Sequence, residues 1–395
     1  MGASSFSAHG RTPDRGTPMV ADWSTRLVDV TGSYGWPVNS TRRHTVGVVG
    51  AGTMGAGIAQ LAVEHGHETV LHDVDEAAIE RGRARIREGL ARRAARLGLD
   101  ADSIDDWVDG RLGLLRGAPT IDALAAEAGL VVEAALDDLN LKRTIFRALG
   151  AAAAADTILA TNTSALSVAA IAEASRRPGE VVGLHFFNPA PVMTLVELVV
   201  TAATRPDVAD RAEALARGWG KTVVRCADSP GFIVNRVHRP FTIEALRTLE
   251  AGEASVEQVD AAMRADGFPM GPFELMDLVG IDVNLAAARA VWEGLGRPDR
   301  LRPSPIQERL TAAGRLGRKS GAGFYAYGSD GRPTGVSADF AAPPSAVPAG
   351  GGIADRIVGA IAREARLAAD AGVATEDDIV LALRLGAGHP ASPFR

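Results

Sequence analysis

One cysteine, Cys226, leaves no disulfide framework and no cysteine-based metal site. No apolar run reaches the length of about 20 residues that a membrane-spanning helix needs. Lysine occurs only at 142, 221 and 319 while arginine is abundant, a bias typical of a GC-rich bacterial genome. There is no polybasic run, and the net charge is −6. That balance argues against nucleic acid and against an anionic membrane surface as partners. Gly2 is followed by Phe6 where a myristoylation signal carries Ser or Thr, and no apolar signal-peptide core follows. A reducing cytoplasm is the expected compartment. His65, His67 and His72 form no convincing metal constellation, so no metal is expected.

What is present is a long chain with several textures. At 395 residues it exceeds one ordinary domain, and 46% of it is apolar, so it buries sizeable cores. Residues 1–43 are rich in Gly, Ser, Thr and Pro without periodicity and read as a mobile extension. From 44 to 227, short apolar runs alternate with helical patterns. Strands are expected at 45–49, 68–72, 113–115, 130–133, 157–161 and 181–187. Helices are expected at 55–65, 76–97, 121–128, 139–155 and 167–174. This order predicts an α/β fold with a mostly parallel, doubly wound sheet. At Cys226-Ala227-Asp228-Ser229-Pro230 the pattern turns helical, with Ser229 as N-cap and Pro230 in the first turn. Residues 228–327 form an all-α second domain, ending in a glycine-rich closing loop at 317–327. Residues 328–352 read as a linker.

Residues 353–395 hold a partial repeat. EALRTLEAGEASVEQVDAAMR at 244–264 resembles EARLAADAGVATEDDIVLALR at 364–384. The second copy stops before any counterpart of 274–280, so it is a partial helical module that packs on the first copy or on a partner subunit.

Two motifs carry chemistry. Val46–Val49 leads into Gly50-Ala51-Gly52-Thr53-Met54-Gly55, a glycine turn that opens a helix. Gly50 permits the tight turn, Gly52 lets backbone approach a pyrophosphate, and Gly55 allows close helix–strand packing. The helix N-terminus, with Thr53 and Met54, then faces the phosphates. The next strand ends at Asp73, placed to accept from ribose hydroxyls and to repel a 2′-phosphate, which favours NAD over NADP. The second motif is GLHFFNPAPVMTLVELVV at 183–200. Its prolines force a bend, so the flanks pair and set His185 beside Glu197. A carboxylate in so apolar a strand is costly unless paired. An imidazole oriented by a carboxylate is a general base. Ser164 is placed either to cap the following helix or to bind substrate. Asn235 is read as one turn inside a helix, where its side chain gains little except through a contact. The arginines at 81, 83, 85, 87, 92, 93 and 96 read as a solvated helical face, with an anionic ligand as the alternative.

The chain resembles the L-3-hydroxyacyl-CoA dehydrogenases, particularly their bacterial 3-hydroxybutyryl- and 3-hydroxyadipyl-CoA branch. The matching strings are GAGTMGAGIA, VVEAA, TNTSAL, GLHFFNPAPVM, WGK, DSPGFIVNR, GFPMGPFELMDLVG and GRLGRKSGAGFYAY, spanning about 44 to 327. The resemblance implies that His185 moves the proton of the substrate's 3-hydroxyl while hydride passes to NAD. Glu197 would orient His185. Ser164 and Asn235 would bind the substrate oxygen, and Asn188 would support the histidine loop and join them in binding substrate. Glu133, Lys142 and Asn162 would lie at the cofactor. Three positions depart from the family pattern: Thr194 for lysine, Ala165 for serine, and Asp137 for glutamate. The resemblance further implies an acyl-CoA substrate and a homodimer through the helical domain. The alternatives are a carrier-protein thioester substrate, a non-catalytic NAD-binding protein, and a tail that covers the dimer surface within one chain.

Overall fold

The computed structural model describes residues 45–341 and 352–394; the extension expected at 1–43 lies outside them. In chain order the first part comprises β1 (Val46–Val49), α1 (Thr53–Glu64), β2 (Thr69–His72), α2 (Glu76–Arg96), α3 (Ala101–Leu112), β3 (Leu115–Gly117) and α4 (Ile121–Glu127). It continues with β4 (Leu130–Glu133), α5 (Leu139–Ala152), β5 (Ile158–Thr161), α6 (Val168–Ala172), β6 (Val181–Phe186), β7 (Leu195–Val200), α7 (Pro206–Gly218) and β8 (Thr222–Ala227). The strands form one eight-stranded sheet in the order β3-β2-β1-β4-β5-β6-β7-β8. β1 to β6 run parallel; β7 is antiparallel to β6, and β8 is parallel to β7. The central strands are buried along their whole length, as in a sheet covered on both faces. The chain order reverses between β1 and β4, which places the ligand crevice at the carboxyl ends of these strands.

The helical part comprises α8 (Val234–Val237), α9 (Arg239–Glu250), α10 (Val256–Ala265), α11 (Pro272–Val279), α12 (Ile281–Gly294) and α13 (Pro305–Ala312), followed by the hairpin β9 (Tyr325–Tyr327) and β10 (Pro333–Val336). Two more helices, α14 (Ile353–Asp370) and α15 (Glu376–Ala387), follow. They pack on α8, α9 and α10 of the same chain. One apolar core joins the sheet, the helical part and this tail, running through Leu195, Phe232, Phe241, Ile361 and Leu383. Among the described residues no helix is long and apolar enough to cross a membrane.

Several expectations need correction. α3, α7 and β8 were not anticipated. α3 is polar on most faces, with only Val108 and Leu112 buried, so it carries little apolar period. β8 hides its strand character behind an exposed Arg225 that pairs with Asp210 and Glu213. The helix expected from Pro230 starts four residues later, because 230–233 form a turn with Gly231 and Phe232 both at positive φ. Part of the expected linker is ordered. Pro333–Val336 pairs with Tyr325–Tyr327, and the Ser337 hydroxyl donates to the Gly323 carbonyl at 2.8 Å. Residues 342–351 lie outside the described residues.

Candidate active site

The β6–β7 register sets His185 directly opposite Glu197. His185 Nδ1 and Glu197 Oε2 are 2.6 Å apart. The second carboxylate oxygen accepts from the Ile233 and Val234 amides at 3.1 and 2.8 Å. Glu197 is fully buried, and these three bonds are what make a carboxylate tolerable there. The turn before α8 aims those amides. Phe232 sits at φ +50°, a conformation a bulky residue adopts only when its surroundings demand it. Its ring and that of Phe187 pack against His185, with centroids 5.8 and 4.6 Å away. His185 Nε2 has no hydrogen-bond partner among the described residues, so it is the ring nitrogen left for a ligand.

α8 brings in Asn235. It lies in the first turn of a short helix, not one turn inside a longer one, and its Nδ2 donates to the Ser164 carbonyl at 3.3 Å. Ser164 in turn donates its backbone amide to Asp137 Oδ2 at 3.2 Å. Its hydroxyl is without a partner among the described residues. Ser164 caps no helix; Ser167 caps α6. Thus His185, Glu197, Ser164 and Asn235, far apart in sequence, converge where the sheet meets the helical part.

Asn188 is exposed in the β6–β7 turn and bonds to none of the described residues. The support expected from it comes instead from Lys221. That buried ammonium donates to the carbonyls of Ala190 and Met193 at 2.6 and 2.8 Å. Burial lowers its pKa to about 8. The WGK string pointed to this residue, yet nothing in its spacing disclosed which loop it holds.

At the other end of the crevice, Gly50 turns the chain at φ +104°, and a Cβ there would lie 2.7 Å from the Ala134 carbonyl. A Cβ on Gly55 would lie 1.8 Å from the Gly50 carbonyl. Gly52 faces open space and is not a side-chain cap, so the first N–H groups of α1, at Thr53 and Met54, are free for an anion. Asp73 accepts from the Ala51 amide at 2.6 Å, at the end of β2. Beside it lies a cavity of about 550 Å³ lined by Asp73, Val74, Ile79, Arg83 and Gly117. An open helix terminus, a carboxylate and an adjoining cavity fit a dinucleotide.

Glu133 and Lys142 form a buried ion pair at 2.7 Å, completed by Thr161 Oγ1 at 2.7 Å and the Ala135 amide at 2.7 Å. Lys142 also meets Asp137 at 3.3 Å. Asn162 accepts from the Phe186 amide at 2.8 Å and so ties β5 to the strand bearing His185. Of the arginines on α2, Arg87 pairs with Asp109 and Arg83 donates to the Leu115 carbonyl.

A doubly wound sheet with an open glycine turn, and an imidazole–carboxylate pair on its adjacent strands β6 and β7, defines a nicotinamide-dependent dehydrogenase. Residues 45–229 match the NAD-binding domain of 3-hydroxyacyl-CoA dehydrogenase, and residues 231–327 match its C-terminal domain. The chain is 46% identical over 282 residues to the 3-hydroxyadipyl-CoA dehydrogenase of Escherichia coli, covering 71% of this chain and 58% of that protein. It is 42% identical to a 3-hydroxybutyryl-CoA dehydrogenase of Mycobacterium tuberculosis, covering 71% and 98%. The crystal structure of a 3-hydroxybutyryl-CoA dehydrogenase from E. coli superposes with a TM-score of 0.79 at 36% identity, covering 89% of this chain and 90% of that one. The chain belongs to the 3-hydroxyacyl-CoA dehydrogenase family.

Proposed function

We propose that this protein interconverts (S)-3-hydroxyacyl-CoA and 3-oxoacyl-CoA with NAD, on short acyl chains such as 3-hydroxybutyryl or 3-hydroxyadipyl. The observation that carries the reading is the 2.6 Å His185–Glu197 pair, whose Nε2 is without a partner among the described residues, together with the Asn235 bond to the Ser164 carbonyl at 3.3 Å. Gly50, Gly52, Thr53, Met54, Gly55 and Asp73 would hold NAD, which when bound would supply the acceptor for the C3 hydride. His185 Nε2 accepts the 3-hydroxyl proton in oxidation and returns it to the keto oxygen in reduction. Glu197 fixes the tautomer by accepting from Nδ1, and it stabilises the cationic ring. Asn235 and Ser164 are the donors placed for the substrate oxygen, where they polarise the carbonyl in the reductive direction. The Glu133–Lys142 pair stiffens the floor of the nicotinamide end. The compartment we propose is the cytoplasm, in keeping with the lone, buried Cys226.

The test follows NADH absorbance with acetoacetyl-CoA for the wild type and His185→Ala. The expected loss in kcat is roughly two to four orders of magnitude. Absence of turnover by a folded, NADH-binding wild type, with turnover of an acetoacetyl carrier-protein thioester, would move the substrate to the carrier.

A further inference from the structure

Three groups on separate elements brace the His185–Glu197 pair. The Phe187 ring, just past β6, packs on His185 with centroids 4.6 Å apart. The Val234 amide, at the start of α8, donates to Glu197 Oε1 at 2.8 Å. Leu195 stands two positions before Glu197 on β7, so both side chains point to the same face of the sheet. These three residues share one neighbour, Gly386, in the last turn of α15. A Cβ added at Gly386 would lie 2.8 Å from Leu195 Cδ2, 3.0 Å from Val234 Cγ2 and 3.4 Å from Phe187 Cε1. Glycine inside a helix is unfavourable relative to alanine. Here it lets α15 close on all three braces at once. Gly359, within α14, meets nothing within 4 Å.

α15 is held at both ends, so it has little freedom to step aside. Before it, the Ala227 amide at the end of β8 donates to the Val373 carbonyl at 2.8 Å. After it, His389 Nε2 lies 2.8 Å from Nδ1 of His238, between α8 and α9. Along its length it packs on β7, β8 and α8. Volume added at position 386 must therefore be taken up by its neighbours. Leu195 Cδ2 is the end of a flexible side chain and can turn away. Val234 is β-branched and stiff at χ1, so its backbone moves with it. That backbone carries the amide bonded to Glu197. A shift of the Phe187 ring reaches His185 directly.

We propose that Gly386 is a positioning residue for the His185–Glu197 pair, and that the last turn of α15 is the wall that sets the pair's geometry. The C-terminal helices act on turnover through this pair. Residues 353–394 are then a working part of the catalytic site.

The inference rests on the dehydrogenase reading, which wild-type turnover of acetoacetyl-CoA tests separately. Gly386→Ala and Gly386→Val are made in the full-length chain, with Gly359→Ala and Gly359→Val as controls. Folding is checked by thermal melts. Gly386→Ala gains helix propensity, and it carries the test if the valine variant does not fold. Steady-state kinetics are measured across pH, and NADH affinity is measured by fluorescence titration. A small misplacement of a reacting group costs up to about 10²-fold in rate. Gly386→Ala should accordingly lower kcat by about tenfold and Gly386→Val by about 10²-fold. The pH profile of kcat/KM should be displaced in both. NADH affinity and the KM for acetoacetyl-CoA should stay near the wild-type values. The Gly359 variants should match the wild type in every reading. Wild-type kcat and pH profile in the folded Gly386 variants would overturn the inference. So would a loss of NADH affinity as large as the loss of kcat, which would mark a general loosening of the fold. Absence of wild-type turnover would sink the dehydrogenase reading, and this inference with it.

Discussion

The chain holds one helical module twice, and the two copies differ in instructive ways. The first begins Ile233-Val234-Asn235-Arg236-Val237 and the second Ile353-Ala354-Asp355-Arg356-Ile357. What they share is the packing surface: the apolar positions, the caps, the arginine and the glutamate. What they do not share includes the residues bonded to Ser164 and to the closing loop. Asn235, bonded to Ser164, has Asp355 as its counterpart, which is exposed. Arg239 has Gly359. Asp260 has Val380. Asp260 accepts from the amides of Phe273 and Glu274, and from the Tyr325 hydroxyl, so it caps α11 and anchors β9. In the second copy an apolar residue stands at that position. The difference separates the residues a fold needs to pack from those a site needs to work.

The contrast is broken most severely at the crevice. Asn235→Asp, which installs the second copy's residue, replaces a donor with an acceptor where we propose that the substrate oxygen binds. Its kcat should fall by about 10²–10³-fold, whereas Asp355→Asn should leave kcat unchanged. Steady-state kinetics on both variants checks this. An equal effect at the two positions would mean that Asp355 also serves catalysis.

The ion pairs between the two copies sharpen the comparison next. Arg236 and Glu364 are buried, and Arg300 joins them at 2.7 Å. Glu364→Ala strands a buried guanidinium and should cost about 3 kcal/mol in chemical denaturation. Glu244 faces Arg356 and Arg247, which are both partly in water. Glu244→Ala should therefore cost about 1 kcal/mol or less.

The smallest effects are pH slopes of opposite sign, one from each copy. Burial lowers the His389 pKa from 6.5 to about 4. The unfolded chain then binds the extra proton first, so stability falls as pH drops from about 6.5 to about 4. His389→Phe should flatten that slope. Burial raises the Asp260 pKa from 3.8 to about 7, against the pull of its three hydrogen bonds. Here the fold keeps its proton longer, so stability falls as pH rises from about 4 to about 7. Asp260→Asn should remove that loss. Thermal melts across this range, taken as wild type minus variant, show whether both signs are right.

Much of this was legible in the residues. The alternation of strands and helices announced the sheet, the glycine turn announced its ligand, and the prolines between His185 and Glu197 forced the pairing seen in the β6–β7 register. The repeat was visible as a string. The ion pairs between its copies were not, because they depend on which glutamate each arginine reaches. The contacts of Lys221 and Asp137 escaped for a related reason. Each acts through a contact far away in sequence, and local pattern carries no record of it. The start of α8 was misplaced because Ser229-Pro230 has the chemistry of a helix start, while the Glu197 carboxylate draws the Ile233 and Val234 amides to itself and delays the helix.

The central claim is that one chain holds one complete dehydrogenase site, worked by His185 and Glu197. Its most direct test is NADH consumption with acetoacetyl-CoA by the full-length protein, measured per chain from micromolar to nanomolar protein. The account predicts turnover that depends on His185 and stays constant per chain on dilution. Turnover that persists in His185→Ala, or that collapses on dilution as a second chain departs, would contradict it.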